Sequence, residues 1–396
     1  MAEAKAPGKV LWMGGYSVLE RPNIGYVTTI DAYVHANVDL VKDSDELCIN
    51  VPDFNMEVRG TLNRETGRLT AERPKVLNLL MTTVEVALAY VAYKGVRLEG
   101  MHIETKNDDS FKYRLSDKNG SVSKSAMGSS SALTVSLTSA ILASYNLDIW
   151  EDDAMHKLAQ LSHNLATGKV GSGFDIAAAA YGSIIYSRYP ASILSGFSQD
   201  FTSADVAALI KREWGYSIKK AKLPSIFKTT MANFVNNAAI TTSLVGVVNE
   251  FKKRSPDTYQ EIINEINKYA ERASACMAKI NGPDDSTNID AFVENFEKSR
   301  LATKMLGELS GADIETEDQT KLIEESKKNG ALVARLPGAG GKDSIVALSL
   351  DDKSAAQIRN FWPRNDKLEV IGVSMQNDGV TCINNNINRK GLKKAA

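Results

Sequence analysis

Cysteine is scarce and poorly placed for cross-linking. Cys48, Cys276 and Cys382 are far apart and odd in number. They form neither a disulfide framework nor a zinc pattern, so a reducing, cytoplasmic setting is expected. Histidine is scarcer still for the chain's length: four in 396 residues, scattered, which argues against a histidine-based metal centre. Charge of one sign is not in excess. Lys and Arg number 47 against 48 Asp and Glu, a formal net charge of −1, so no global attraction to nucleic acid or to an anionic membrane is implied. No apolar run approaches the ~18 residues of a membrane span. The opening MAEAKAPGKVLWMGG has too short an apolar stretch for a secretory signal. Repeats and low-complexity segments are absent. What is present is ordinary: 43% hydrophobic and 24% charged residues, which excludes collagen-like, disordered and coiled-coil classes. The length suits two or three folding units.

The first stretch reads as strands. Lys9–Met13, Tyr26–Leu40 and Leu47–Val51 are rich in Val, Ile, Tyr and Thr, punctuated by Gly14-Gly15 and Arg21-Pro22-Asn23. Val76–Tyr93 has apolar residues at helical spacing, and 106–120 is polar and reads as a loop. A nearly all-round apolar helix, Met127–Tyr145, and an amphipathic one, Asp152–Gly168, follow, then a short helix Asp175–Tyr181 and a strand Ser183–Tyr189. Tyr189-Pro190 and the polar Ser195–Asp205 are the expected boundary. Beyond it come a strand Tyr216–Lys222, helices Thr230–Lys253, Asp257–Asn281, Ser286–Leu309 and Thr316–Asn329, and strands Ala331–Leu336, Ser344–Leu350 and Leu368–Ser374. The class expected is α+β, with domains over 1–195 and 205–396.

Four glycine-bearing segments stand out. Ala6-Pro7-Gly8-Lys9 runs to Gly14-Gly15-Tyr16. Lys124 to Ala132 places Gly128 and three serines at the start of a helix, where free N–H groups and the positive end of the helix dipole can hold an anion. The alternative is a plain serine cap. Pro337-Gly338-Ala339-Gly340-Gly341-Lys342-Asp343 lies between two strands. Its glycines allow a close backbone approach, although alone it reads as a tight hairpin turn. Gly168-Lys169-Val170-Gly171-Ser172-Gly173-Phe174-Asp175 offers an active-site carboxylate, but Asp175 alone reads as a helix N-cap. No Walker A loop and no Rossmann G-x-G-x-x-G is present.

Taken together and in this order, these segments resemble the GHMP kinase superfamily over the whole chain. The variant Gly14-Gly15-Tyr16, a Lys (Lys124) shortly before Gly128-Ser129-Ser130, the run Gly168 to Asp175 and Pro-Gly-Ala-Gly-Gly-x-Asp are most similar to the phosphomevalonate kinase branch. The second motif departs from the superfamily pattern at Ala126-Met127, where Gly-Leu is usual. Asn164 stands where mevalonate kinases place a Mg²⁺-binding Glu. The resemblance implies an N-terminal domain with a left-handed βαβ unit, a ferredoxin-like C-terminal domain, and a cleft between them for ATP and substrate.

It also implies roles. Lys9 and Asp175 would be catalytic. Lys124, Ala126, Met127, Gly128, Ser129, Ser130 and Ser131 would bind ATP, with Ser130 associated with Mg²⁺. Gly15, Tyr16, Ser17, Lys169, Ser172, Arg188, Gly340 and Gly341 would bind the acceptor, 5-phosphomevalonate; the role of Lys342 stays open. Such a kinase needs cations more than a base, because a phosphomonoester is already mostly dianionic at pH 7. The rival readings are mevalonate kinase, the mevalonate-diphosphate decarboxylases and, from another class, a non-catalytic ligand-binding regulator of the same fold. A regulator of that kind would be expected to lack Lys9 or Asp175, and both are present.

Overall fold

Two sheets organise the chain, and each buries the apolar positions of its own strands. The computed structural model describes residues 1–111, 114–115, 122–123, 127–221, 223–234, 241–365 and 368–384. The elements of the first part are β1 (Ala2–Met13), β2 (Gly25–Val41), β3 (Glu46–Val51), β4 (Met56–Leu62), β5 (Leu69–Ala71), α1 (Asn78–Tyr93) and β6 (Gly100–Asn107). Then follow the short β7 (Arg114–Leu115) and β8 (Val122–Ser123), α2 (Ser129–Ser144), α3 (Ala154–Thr167), α4 (Phe174–Tyr181), β9 (Ile184–Ser187), α5 (Ser203–Lys211) and β10 (Ser217–Lys220). The remainder comprises β11 (Lys228–Phe234), α6 (Thr241–Arg254), α7 (Pro256–Met277), α8 (Ser286–Ser310), α9 (Glu317–Lys328), β12 (Val333–Arg335), β13 (Ser344–Ser349), α10 (Asp352–Phe361), β14 (Leu368–Ile371), β15 (Met375–Gln376) and β16 (Thr381–Asn384).

The larger sheet runs β10-β9-β2-β6-β3-β4-β5, with β1 and β15 also on β2 and β16 on β1. Its pairs are antiparallel except β3 with β6, where Leu47 faces Met101; β4, β5 and α1 lie in the crossover between them. The β1–β2 ladder shifts register between Pro7 and Lys9. Three residues of β2 stand there against one of β1, a bulge of β2 opposite Gly8, and Lys9 follows at the next paired position. α2 and α4 pack on the sheet, and α1 and α3 pack against α2. α2 is buried on nearly every side, as its apolar composition predicts.

The smaller sheet, β12-β13-β11-β14, is antiparallel throughout. It has a core of its own, built from Ile323, Ala334, Ile345, Ala347, Ile358 and Trp362. α7 and α8 pack on each other, with α6 against both.

Several expectations need correction. The helix expected over Thr230–Lys253 begins as β11 and becomes α6 only at Thr241. β11 is flanked on both edges, so its apolar residues do not alternate, and Thr229 and Thr230 are strand formers. The strand expected to open the second half, β10, instead pairs with β9 and extends the first sheet. The stretch read as a boundary holds the start of α5, closed by a capping box of Thr202 and Asp205, and α5 packs on α1 and α3. The chain therefore does not change sheets at 195–205; β10 is still in the first sheet and β11 is the first strand of the second. β15 and β16 then return to the first sheet from the far end of the chain. Residues 75–93 are in fact long and apolar enough to cross a membrane. Most of that window is buried, packed against α2, α3 and α5, as the core helix of a globular fold would be.

Candidate active site

The loop from Gly14 to Ile24 leaves β1 and is pinned by its own backbone. The N–H groups of Ser17 and Val18 donate to Gly15 and Gly14 carbonyls at 2.7 and 2.9 Å. Ser17, an expected acceptor ligand, is fully buried and its hydroxyl donates to Gly14 O at 3.3 Å. Tyr16 has φ 61° and ψ −47°, a left-handed conformation uncommon for a large residue. It is buried against Val248, Phe251 and Tyr259, and its hydroxyl donates to Ala339 O at 2.9 Å. Gly15 lies against the same turn: a Cβ there would stand 2.6 Å from Gly338 O.

α2 starts from Gly128, and no side chain caps it. The Ser131 hydroxyl donates backward to Gly128 O at 2.9 Å, while Ser129 and Ser130 are half-buried. The helix thus keeps its first-turn N–H groups clear of side-chain acceptors, which favours the anion-holding reading over the cap. Met127 is buried, and its carbonyl accepts from Lys9 N at 2.8 Å. Lys124 and Ala126 lie outside the described residues.

Asp175 is not the N-cap of α4; Gly173 is, with φ 83°. Asp175 sits in the first turn, half-buried, with Oδ1 accepting from Ile176 N at 3.0 Å. Arg188 is buried and joins two loops, donating to Leu19 O at 3.0 Å and Gly171 O at 2.9 Å. Ser172 is half-buried, and Lys169 and Lys342 are exposed. Asn164 donates to Leu194 O at 3.5 Å in a buried position.

The turn 337–341 is held from three sides. Gly338 N donates to Leu11 O at 3.4 Å, Gly341 N donates to Ile314 O at 2.8 Å, and Gly341 O accepts from Gln319 Nε2 at 2.6 Å. Gly340 N is turned inward to Pro337 O at 3.3 Å. Gly340 and Gly341 thus have their amides engaged within the protein, and what they give the site is the path of the turn. Arg335, buried, donates to Trp12 O at 2.6 Å and ties the same turn to β1.

All four segments meet at Lys9. Its stem crosses the start of α2, where a Cβ on Gly128 would be 2.9 Å from Lys9 Cε. Its ammonium lies 5.5 Å from the centre of the Phe174 ring. Burial pushes its pKa below the ordinary value, and the carboxylates of Asp175 and then Asp343 oppose that shift. The resemblance implies catalytic roles for Lys9 and Asp175 and gives Asp343 none. Its only signal is that it closes the third motif, after Gly340-Gly341-Lys342. Among the described residues, no three His, Cys, Asp or Glu cluster as an all-protein metal cage.

Residues 79–183 match the GHMP kinases N terminal domain, and residues 292–368 match the GHMP kinases C terminal family. The chain belongs to the GHMP kinases. Among its relatives is a phosphomevalonate kinase of Candida albicans, 28% identical and covering 90% of each chain. Another is a phosphomevalonate kinase of Saccharolobus solfataricus, also 28% identical, covering 92% of this GHMP kinase and 94% of that one. The fold matches the Streptococcus pneumoniae phosphomevalonate kinase solved in complex with phosphomevalonate and AMPPNP, with a TM-score of 0.70, 21% identity, and coverage of 95% and 100%.

Proposed function

We propose that this GHMP kinase transfers the γ-phosphoryl group of ATP to (R)-5-phosphomevalonate, giving ADP and (R)-5-diphosphomevalonate. The observation that carries the reading is the position of Lys9 between the start of α2, Asp175 and Asp343. The relatives named phosphomevalonate kinase supply the acceptor.

The acceptor's phosphate oxygen is the nucleophile. With a second pKa of about 6 it is mostly ionised at pH 7 and needs no base. The difficulty is to bring one dianion up to the polyphosphate of ATP, and that is a problem of charge and placement. The uncapped start of α2 receives phosphate oxygens of ATP. The Lys9 ammonium faces the group in transit, with the carboxylates of Asp175 and Asp343 favouring its charge. Asp175 orients Lys9 and the acceptor and does not remove a proton.

The half-buried Ser130 hydroxyl beside phosphate suits Mg²⁺, which needs few protein ligands because it keeps waters and phosphate oxygens. Bound with ATP there, Mg²⁺ would neutralise charge on the β- and γ-phosphates. The three cysteines are free and half-buried, which supports a reducing, cytoplasmic setting.

The test is ADP release with Mg-ATP and, in turn, mevalonate, 5-phosphomevalonate and 5-diphosphomevalonate. Fastest turnover is expected with 5-phosphomevalonate and without CO₂. Faster turnover of mevalonate overturns the acceptor while leaving the kinase.

A further inference from the structure

Behind the turn that carries Asp175 lies a buried polar chain for which the reaction above has no use. Gln160, on α3, is buried and sits at its centre. Its Nε2 donates to Gly173 O at 2.8 Å and is 3.0 Å from His156 Nε2, while its Oε1 accepts from the Tyr189 hydroxyl at 3.1 Å. The orientation of the amide follows from this set: a carbonyl can only accept, so the atom facing Gly173 O must be the nitrogen. The second amide hydrogen then points to His156 Nε2, which must be an unprotonated acceptor. His156 is itself clamped between the rings of Tyr181 and Tyr216, with centroids at 5.2 and 4.9 Å. Both tyrosine hydroxyls donate to Asp153, at 3.1 and 2.5 Å.

Gly173 O also accepts from Ala177 N at 3.0 Å, the first backbone bond of α4. One carbonyl therefore fixes both the start of α4 and its attachment to α3. The space at the Gly173 α-carbon is closed as well. With φ 83° it holds a conformation that suits glycine, and a Cβ would stand 2.9 Å from both Gln160 Nε2 and the Tyr186 hydroxyl. Asp175 is two residues on.

We propose that Gln160 is a positioning residue for phosphoryl transfer: by holding Gly173 O it sets the start of α4 and hence where the Asp175 carboxylate stands against Lys9. Gln160 contacts neither ligand in this scheme. The inference rests on the kinase reading given above for its activity readout, and on hydrogen exchange for a readout that does not need it.

The variant is Gln160→Met, which keeps length and volume and removes every hydrogen bond. Two measurements are made on it. The first is kcat with Mg-ATP and whichever acceptor the parent turns over fastest, together with the dissociation constant for AMPPNP. The second is amide exchange in a peptide covering 171–180. Expected are a loss of about 10- to 100-fold in kcat, AMPPNP affinity within about twofold of the parent, and faster exchange confined to 171–180. Unchanged kcat overturns the proposal, as does unchanged exchange at 171–180 or exchange raised evenly over the whole chain. Should Gln160→Met not fold, Tyr189→Phe removes only the donor to Gln160 Oε1, and a smaller loss of kcat with the same local exchange is required. If the parent turns over no acceptor, the kinase reading fails, and the exchange measurement still decides the role of Gln160.

Discussion

The Tyr16 hydroxyl donates to Ala339 O across 323 positions of sequence, so the first glycine motif holds the third in place. The bond explains why a tyrosine is accommodated at a φ of 61°: the backbone there directs the ring into the α6–α7–α8 cluster and its hydroxyl to the turn. Tyr16→Phe keeps the ring and removes the bond. Ala339 is half-buried, so water can replace the donor, and the stability loss should stay near 0.5–1 kcal/mol by urea unfolding. Activity should suffer more than stability, because the turn ends at Asp343 beside Lys9. A several-fold fall in kcat/KM for the acceptor, with AMPPNP binding unchanged, is expected. Equal activity in the two proteins would reduce Tyr16 to a packing residue.

Two lysines that look alike in sequence should part company when neutralised. Lys9→Met should lower kcat and kcat/KM together by about 100- to 1,000-fold, the scale for losing one preorganised charge in the transition state, with modest change in either binding constant. Because burial holds the Lys9 pKa below its ordinary value, the active ammonium is lost as pH rises, earlier than for an exposed lysine. The alkaline limb of the kcat/KM profile should therefore disappear in Lys9→Met. Lys169 is exposed, so the large loss on truncating a buried pair does not apply. Lys169→Met should raise the acceptor KM only a few-fold, on the scale of a solvated ion pair, and leave ATP alone. Acceptor binding equal to the parent's would remove Lys169 from the acceptor site.

The glycine segments were legible because each marks a place where backbone must pass close to something else, and such places need no long-range knowledge to find. The start of α2 as an anion site is one of two readings of its own segment, and the roles of Lys9 and Asp175 come from the resemblance that the ordered segments carry together. What failed to show was pairing over distance. Nothing local tells Asp343 that it faces Lys9, or tells Thr381–Asn384 that it will lie on β1. β11 read as helix because a strand flanked on both sides loses its alternation. Asp175 read as a cap because sequence alone does not reveal that Gly173 already occupies that position. Gln160, one turn before Asn164 in an amphipathic helix, carries no signal at all: its importance lies in the carbonyl that it meets.

Acid should expose the cost of burying His156. Its pKa is pushed down to about 3, chiefly by burial; Asp153 opposes the shift and Lys157 adds to it. Gln160, with both amide hydrogens committed, leaves no acceptor for a proton on Nε2. The unfolded chain takes up that proton near pH ~6.5, whereas the folded protein refuses it until near pH 3. Between those values the unfolded state binds more protons, so stability falls as pH falls, by at most about 1.4 kcal/mol per unit from this group. From pH ~6.5 to ~5, before most carboxylates begin to titrate, the loss should amount to about 1.5 kcal/mol, because the slope reaches its limit only below the unfolded pKa. Urea unfolding at the two pH values checks it, with His156→Asn as the comparison. The variant is expected to be less stable at neutral pH, having lost its packing between Tyr181 and Tyr216, but to show a flatter dependence on pH. Equal slopes for the two proteins over that interval would mean that His156 is not the group refusing the proton.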